Sequence, residues 1–212
     1  MPLLHKNMKP LGPLATIRAG HAFRTKLIDD PGSETRVLQM RDIDPSHGVD
    51  WQSVVRCQPV GVKKEWLRTS DILLVARGGR NYAYYLDEQP PFPTLAAPHF
   101  FHISLRESAK QILLPEFLAW QLNQQPVQDY FKRNAEGSTS KSIRRTIVEN
   151  TPIIIPSISH QKTISSLHTA VVSERRLAEQ LIANGENLMS RICADLLKEA
   201  NEADPIRGLL YD

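Results

Sequence analysis

Residues 70–86 read Ser70-Asp-Ile-Leu-Leu-Val-Ala-Arg-Gly-Gly-Arg-Asn-Tyr-Ala-Tyr-Tyr-Leu86. Asp71 to Ala76 is an apolar run of strand length. Arg77-Gly-Gly-Arg80 is a turn, and Tyr82 to Leu86 reads as the return strand of a tight hairpin. Working outward, Arg36 to Met40, Ser53 to Arg56 and His99 to Leu105 also have strand composition. Fourteen of the 15 prolines lie in residues 1–159 and leave no room for long helices there. Pro115 to Asn123 opens with a proline suited to a first helical turn, and Phe117, Leu118 and Leu122 give it one apolar face. Val127 to Phe131 supplies a further turn or two. Ile153 to Pro156 reads as a short buried strand or edge segment.

The period changes at His160. From there no proline occurs until Pro205, and the pattern is helical for about 44 residues, roughly 65 Å. Two columns at spacing seven run along it. One is Ile164, Val171, Ala178, Gly185 and Ile192; the other is Leu167, Glu174, Leu181, Leu188 and Asp195. Together they form an imperfect coiled-coil seam, broken by Glu174, Gly185 and Asp195. Ile182, Met189 and Leu196 widen the stripe. Asn184-Gly185 is a point where the helix is expected to divide, since an interior glycine costs about 1 kcal/mol. A helix wrapped over its own domain is the alternative reading. The expected fold class is α+β: a mixed or antiparallel sheet domain with short helices over residues 1–158, a long helix over 159–204 and a tail over 205–212.

The 212 residues are 41% hydrophobic and 23% charged, a composition that supports a buried core and argues against disorder. No apolar stretch is long enough to span a membrane, and residues 1–11 lack the apolar block of a secretory signal. Cys57 and Cys193 cannot form a disulfide framework. A cytoplasmic location is the expectation. Net charge is +3, and its distribution is uneven. Residues 160–212 carry 6 basic and 8 acidic groups, whereas residues 1–159 carry 20 and 15. The first 26 residues hold Lys6, Lys9, Arg18, Arg24 and Lys26 with no acid. A second cluster is Lys132, Arg133, Lys141, Arg144 and Arg145, interrupted by Glu136. The front of the chain can therefore face phosphates, while the back is suited to protein.

Catalytic patterns are weak. Gln89-Pro-Pro-Phe resembles the Asn-Pro-Pro-Phe of amino-methyltransferases, but the glutamine is one methylene too long and no glycine-rich cofactor turn precedes it. Arg77-Gly-Gly-Arg80 lacks the spacing of a phosphate loop. His99 and His102 would point to opposite faces of one strand, so no shared metal is expected. No cofactor is expected either. An enzyme without a recognisable motif stays open. Groups that can read nucleic acid are plentiful by contrast: Gln39, Arg41, Arg77, Arg80, Asn81, Tyr82 and Tyr84 fall at strand ends or in turns. Ser138 to Lys141 are short donors able to meet phosphate oxygens.

In order and spacing, these segments resemble the specificity subunits of Type I restriction-modification systems. The matching segments are Leu11-Gly-Pro-Leu-Ala-Thr-Ile-Arg-Ala-Gly-His-Ala-Phe-Arg24, Val37-Leu-Gln-Met-Arg-Asp-Ile43, the hairpin from Leu67 to Gly78, the helix Pro115 to Asn123, the loop Gly137-Ser-Thr-Ser-Lys-Ser-Ile143, and Pro152-Ile-Ile-Ile-Pro156 with His160-Gln-Lys-Thr-Ile164. Ser70 stands where the family has glycine. The resemblance implies a half-length form with one target recognition domain. Such a subunit has no catalytic site, binds half of a split double-stranded DNA target, and recruits methyltransferase and restriction subunits. It also implies pairing through Ile164, Leu167, Val171, Ala178, Leu181, Leu188 and Ile192, either of two copies as a homodimer or of this half-module with another. The DNA contacts expected are Arg24, Lys26, Gln39, Arg41, Arg77, Arg80, Asn81, Tyr82, Lys141, Arg144 and Arg145. A protein-interaction module with a coiled-coil arm and no DNA role is the alternative.

Overall fold

A computed structural model of the chain describes residues 8–23, 26–44, 47–59, 65–78, 81–137 and 141–202, with side chains through residue 200. It divides into two compact units, residues 1–169 and 170–212. The first is built on a four-stranded antiparallel sheet of β2 (Ala15–Ala19), β9 (Phe100–Leu105), β6 (Ile72–Val75) and β7 (Ala83–Tyr85), in that order. Three small pairs surround it. β1 (Met8–Pro10) runs antiparallel to β10 (Pro152–Ile154), β3 (Arg36–Leu38) parallel to β8 (Thr94–Ala96), and β4 (Ile43–Asp44) antiparallel to β5 (Gly48–Val49). The helices are α1 (Glu107–Lys110), α2 (Pro115–Leu122), α3 (Gln125–Asn134), α4 (Arg145–Glu149) and α5 (Ile158–Glu202). The molecule is thus a mixed α+β domain with short helices and a long C-terminal helix.

β6 is buried along its whole length, which explains its unbroken apolar run. Ile72 and Leu74 enter a core with Leu11, Phe101, Ile103, Phe117 and Phe131. Leu73 and Val75 enter a second core with Val37, Leu38, Leu67, Ala96 and Phe100. Prolines at the first turns of α2 and α3 start those helices where a backbone N–H would have no partner. Gly20 is required by contact, because a Cβ there would lie 1.9 Å from the Ala97 carbonyl oxygen.

Side-chain amides close the strand edges. Gln121 accepts from the Ile154 N–H at 2.9 Å and donates to its carbonyl at 3.0 Å. Asn123 does the same for Ala83, at 2.9 and 2.7 Å. Gln161, 0% exposed, accepts from Leu114 N–H and donates to the carbonyls of Ile112 and Pro156, each at 2.8 Å. The first turn of α5 is thereby fastened to the unit in which it begins.

Four expectations need correction. Ser53 to Arg56 is not a strand. Asp50 draws Gln52 and Ser53 into a turn through its side chain and carbonyl, leaving only an isolated bridge between Arg36 and Arg56. Gln39 and Met40 do not extend β3; Met40–Asp42 is a 3-10 turn stapled by the Asp42 carboxylate accepting from Gln39 N–H at 2.8 Å. β6 and β7 pair as expected, but their connection is longer than a tight hairpin turn: seven residues separate them, of which Gly79 and Arg80 lie outside the described residues. α5 does not divide at Gly185, where nothing approaches within 4 Å and the helix continues. Its local cost is small beside the bonds on either side.

Ser70 has φ 70°, the left-handed region, and its N–H donates to Leu86 carbonyl at 2.7 Å. This is the position at which the resembled family carries glycine, the residue that adopts that conformation without strain. Ser70→Gly is expected to raise stability by about 1 kcal/mol, read from urea unfolding. Next to it lies a buried polar trio. Asp71 contacts His102 at 2.7 Å and accepts from Ser104 hydroxyl at 2.6 Å. Burial pushes the Asp71 carboxyl up, but the bonds from His102, Ser104 and Arg68 N–H outweigh it, and its pKa is lowered. The lowered value means that the carboxylate stabilises the fold above its unfolded pKa. That stability disappears as pH falls through the folded value. Asp71→Ala is expected to cost about 3 kcal/mol at neutral pH, and its unfolding free energy is expected to lose part of the wild-type decline in acid.

Candidate nucleic-acid interface

At one end of the four-stranded sheet β2 and β6 finish while β9 and β7 begin, so Ala19 faces Phe101 and Val75 faces Phe100. Backbone bonds gather further segments there. Gly20 donates to Phe100 carbonyl at 2.9 Å, His21 to Ala96 at 2.8 Å, Ala97 to Leu38 at 2.9 Å and Ala76 to His99 at 2.8 Å. The segments that follow β2, β3 and β6, and those that precede β9 and β7, therefore emerge together. They carry His21, Gln39, Arg77, His99 and Tyr82.

A second predicted cluster arrives at the same place. Glu136 and Ser142 exchange backbone bonds at 2.9 and 2.8 Å. Gly78 donates to Lys141 carbonyl at 3.0 Å, and Ile143 donates to Ala76 at 3.0 Å. Lys141, Ser142 and Ile143 are thus a short pairing partner for the segment after β6, with a bridge from Arg77 to Ser142. Arg77 and Lys141, more than 60 positions apart in the chain, lie on directly bonded backbone.

Beside them a groove of about 440 Å³ opens, lined from α3 by Gln125, Gln128, Asp129 and Lys132 and from the loops by Gly78, Asn81 and Lys141. Arg77, Lys132 and Lys141 are exposed and make no ion pair among the described residues. Arg144 pairs with Glu136 at 2.5 Å and Arg145 with Glu149 at 2.7 Å, both on the surface. Arg41, its side chain 70% exposed, lies 3.6 Å from Asp42. Lys26 is exposed. Arg24 and Arg80, like Ser138 to Ser140, lie outside the described residues.

Asn81 differs from expectation. It is 8% exposed, its amide donates to Val75 carbonyl at 2.8 Å, and its own carbonyl accepts from Gln128. The amide's donor is committed to closing the end of β6. Tyr82 is half-buried against the second core, and burial pushes the Tyr84 hydroxyl up to about 12. Gln39 Nε2 and His21 Nε2 are buried without a hydrogen-bond partner among the described residues. The sequence reading missed the α3 residues Gln125 and Gln128. Their signal was the amide-rich run Gln124-Gln-Pro-Val-Gln128, overshadowed by the helix periodicity around it. Among the described residues no group of three or more His, Cys, Asp or Glu is placed to hold a metal ion. No described helix is long and apolar enough to cross a membrane.

Residues 5–184 match the Type I restriction modification DNA specificity domain. The chain belongs to that family. Solved structures agree in fold. The S subunit of a type I restriction-modification system from M. genitalium aligns with a TM-score of 0.51 at 15% identity, over 80% of this chain and 40% of that one. A chain from a study of complex assembly and conformational transition of the type I R-M system aligns at 0.60 and 15%, over 94% and 47%. The HsdS subunit from Thermoanaerobacter tengcongensis aligns at 0.53 and 13%, over 84% and 40%. This specificity-domain chain spans less than half the length of each. No curated protein sequence matches it.

Asn81→Ala is expected to destabilise the domain by about 1–2 kcal/mol in urea unfolding, because it leaves the Val75 carbonyl without its partner. Binding by the folded variant should keep the wild-type base preference.

Proposed function

We propose that this chain is a sequence-specific DNA-binding specificity subunit, reading one half of a split site and recruiting methyltransferase and restriction subunits that carry the chemistry. The observation that carries the reading is the convergence of Arg77, Lys141, Lys132 and Gln39 on one end of the sheet, in a chain of the specificity-domain family. Loops beyond strand ends are free of the core, so their side chains can enter a groove of DNA. Cations without acidic partners meet phosphates at least cost. Gln125 and Arg77 are the base-reading candidates of this face, through amide and guanidinium groups; Gln128 is held back by its bonds to the Asn81 and Leu122 carbonyls. Lys26, Lys132 and Lys141 are the phosphate contacts, joined by Arg144 and Arg145 where a phosphate displaces their exposed partners Glu136 and Glu149. In this reading residues 1–158 recognise DNA, 159–204 form the pairing helix and 205–212 a tail.

A homodimer through α5 completes the subunit. Leu167, Val171, Leu181, Leu188 and Ile192 are exposed by 47 to 72%, and Ile182, Met189 and Leu196 extend the same stripe. An apolar stripe of this length, though interrupted at Glu174, Gly185 and Asp195, is the mark of an interface rather than a solvated surface. Two copies related by a two-fold axis would read a symmetric split site.

Lys141→Ala is expected to weaken all DNA sequences alike and to lower the slope of log affinity against log salt by about 1. Arg77→Ala is expected to cost about 1–3 kcal/mol and to relax one position. Both are read by randomised-site selection with the matching modification subunit present, at two salt concentrations. Salt-independent binding, or none, would favour the protein-interaction alternative. Leu181→Asp is expected to convert a micromolar dimer to monomer in sedimentation. The purified chain alone is expected to transfer no methyl group from S-adenosylmethionine and to leave DNA uncut.

A further inference from the structure

We propose that the Asp129 carboxylate on α3 reads the amino group of one cytosine of the target, from the groove between α3 and the loops that carry Asn81 and Lys141. The inference rests on the DNA-reading proposal above. It assigns a base to the one acidic side chain that lines this groove among the described residues.

Helical spacing assembles the reading face. Gln125, Asp129 and Lys132 stand at i, i+4 and i+7 of α3, while Val127 and Phe131 on the opposite side enter the first core. Burial of one side therefore turns the other toward the groove. The helix is also fastened in place. Gln128 donates to the Asn81 and Leu122 carbonyls at 2.8 and 2.7 Å, and the Asn81 amide is itself bonded to Val75. The Gln125 amide donates to one oxygen of the Asp129 carboxylate at 2.7 Å and so orients it. Among the described residues this carboxylate has no ion pair and no second hydrogen bond. A rigid acceptor with one oxygen to spare is what a specific contact requires.

A carboxylate in that place needs a partner. The first turn of α3 holds no acidic residue, and Asp129 lies beyond it, so the helix dipole does not account for the charge. Lys132 and Lys141 line the same groove, and phosphates drawn to them bring negative charge toward Asp129. A donor from a base offsets that repulsion. In the major groove the base donors are the amino groups of cytosine and adenine. Cytosine presents its amino group alone, whereas adenine sets the N7 acceptor beside it, where the second carboxylate oxygen would meet a lone pair. Aspartate therefore suits cytosine. Guanine or thymine at the same position leaves the carboxylate against an acceptor, dry and unpaired, so Asp129 rejects as well as selects.

The test takes the wild-type chain, Asp129→Ala and Asp129→Asn through randomised-site selection with the matching modification subunit present, urea unfolding having shown that each variant folds. The expected wild-type site holds a cytosine at one position, preferred about tenfold, and Asp129→Ala loses that preference at that position alone. The alanine variant also binds DNA without this cytosine more tightly than wild type does, because a repelling charge is gone. Asp129→Asn shifts the position toward adenine. A duplex carrying 2-pyrimidinone there, which lacks the amino group, binds the wild-type chain about tenfold more weakly than the natural site and the alanine variant equally well. An identical selected site for all three proteins, or loss of an adenine rather than a cytosine, would overturn the assignment and leave the DNA-reading proposal standing. Absence of sequence-selective, salt-sensitive binding by the wild-type chain would overturn both.

Discussion

Burial of β6 on both faces is the constraint on which the rest of the domain depends. Ile72 and Leu74 enter one core, and Leu73 and Val75 enter the other, so no side chain of this strand remains to meet a ligand. Polar groups are displaced to the strand ends. At one end they close on themselves as Asp71, His102 and Ser104, which satisfy one another inside the protein. At the other end they open outward as Arg77, Lys141 and the α3 amides. A sheet buried on both sides thus separates a structural polar site from a surface one, by the plain cost of leaving a polar group dry and unpaired.

Short strands create a second demand, because each leaves backbone groups without a partner at its edge. The domain meets it with amide side chains, which carry one donor and one acceptor group as the backbone does. Gln121 completes Ile154, Asn123 completes Ala83, and Asn81 completes Val75. Gln161 does the same for the segment before α2 and for the entry to α5. Glutamine and asparagine in this domain are therefore divided between two duties. Gln128 belongs with those that hold strands and helices together, donating to the carbonyls of Asn81 and Leu122, whereas the exposed Gln125 lines the open groove. Residue type alone does not separate the two groups.

The elements easiest to read were those whose periodicity matched their burial. The runs at Asp71, Tyr82 and His99 are β6, β7 and β9, and Pro115 and His160 mark α2 and the first turn of α5. β8 was missed because Thr94-Leu-Ala is too short and too proline-flanked to carry a periodic signal. Ser53 to Arg56 had strand composition, but the preceding Asp50 had already committed the chain to a turn. Of the candidate interface residues, Arg77 and Lys141 were legible as cations at loop positions, and both are exposed. Asn81 looked equally available, yet a neighbouring carbonyl at the end of β6 claims it.

By itself the sequence determined what is local or cumulative: an apolar strand pair, a basic proline-rich front, and a long proline-free helix with one apolar stripe. These depend on hydrophobic period, proline geometry and summed charge, all of which act within a few residues or simply add. Tertiary structure decided which distant segments meet. Nothing in the chain before folding tells that the segment after β6 pairs with the arm near Ser142, or that one asparagine is enclosed and its neighbours are open. Such outcomes turn on individual backbone groups finding partners after the cores have closed, and that competition is settled in three dimensions.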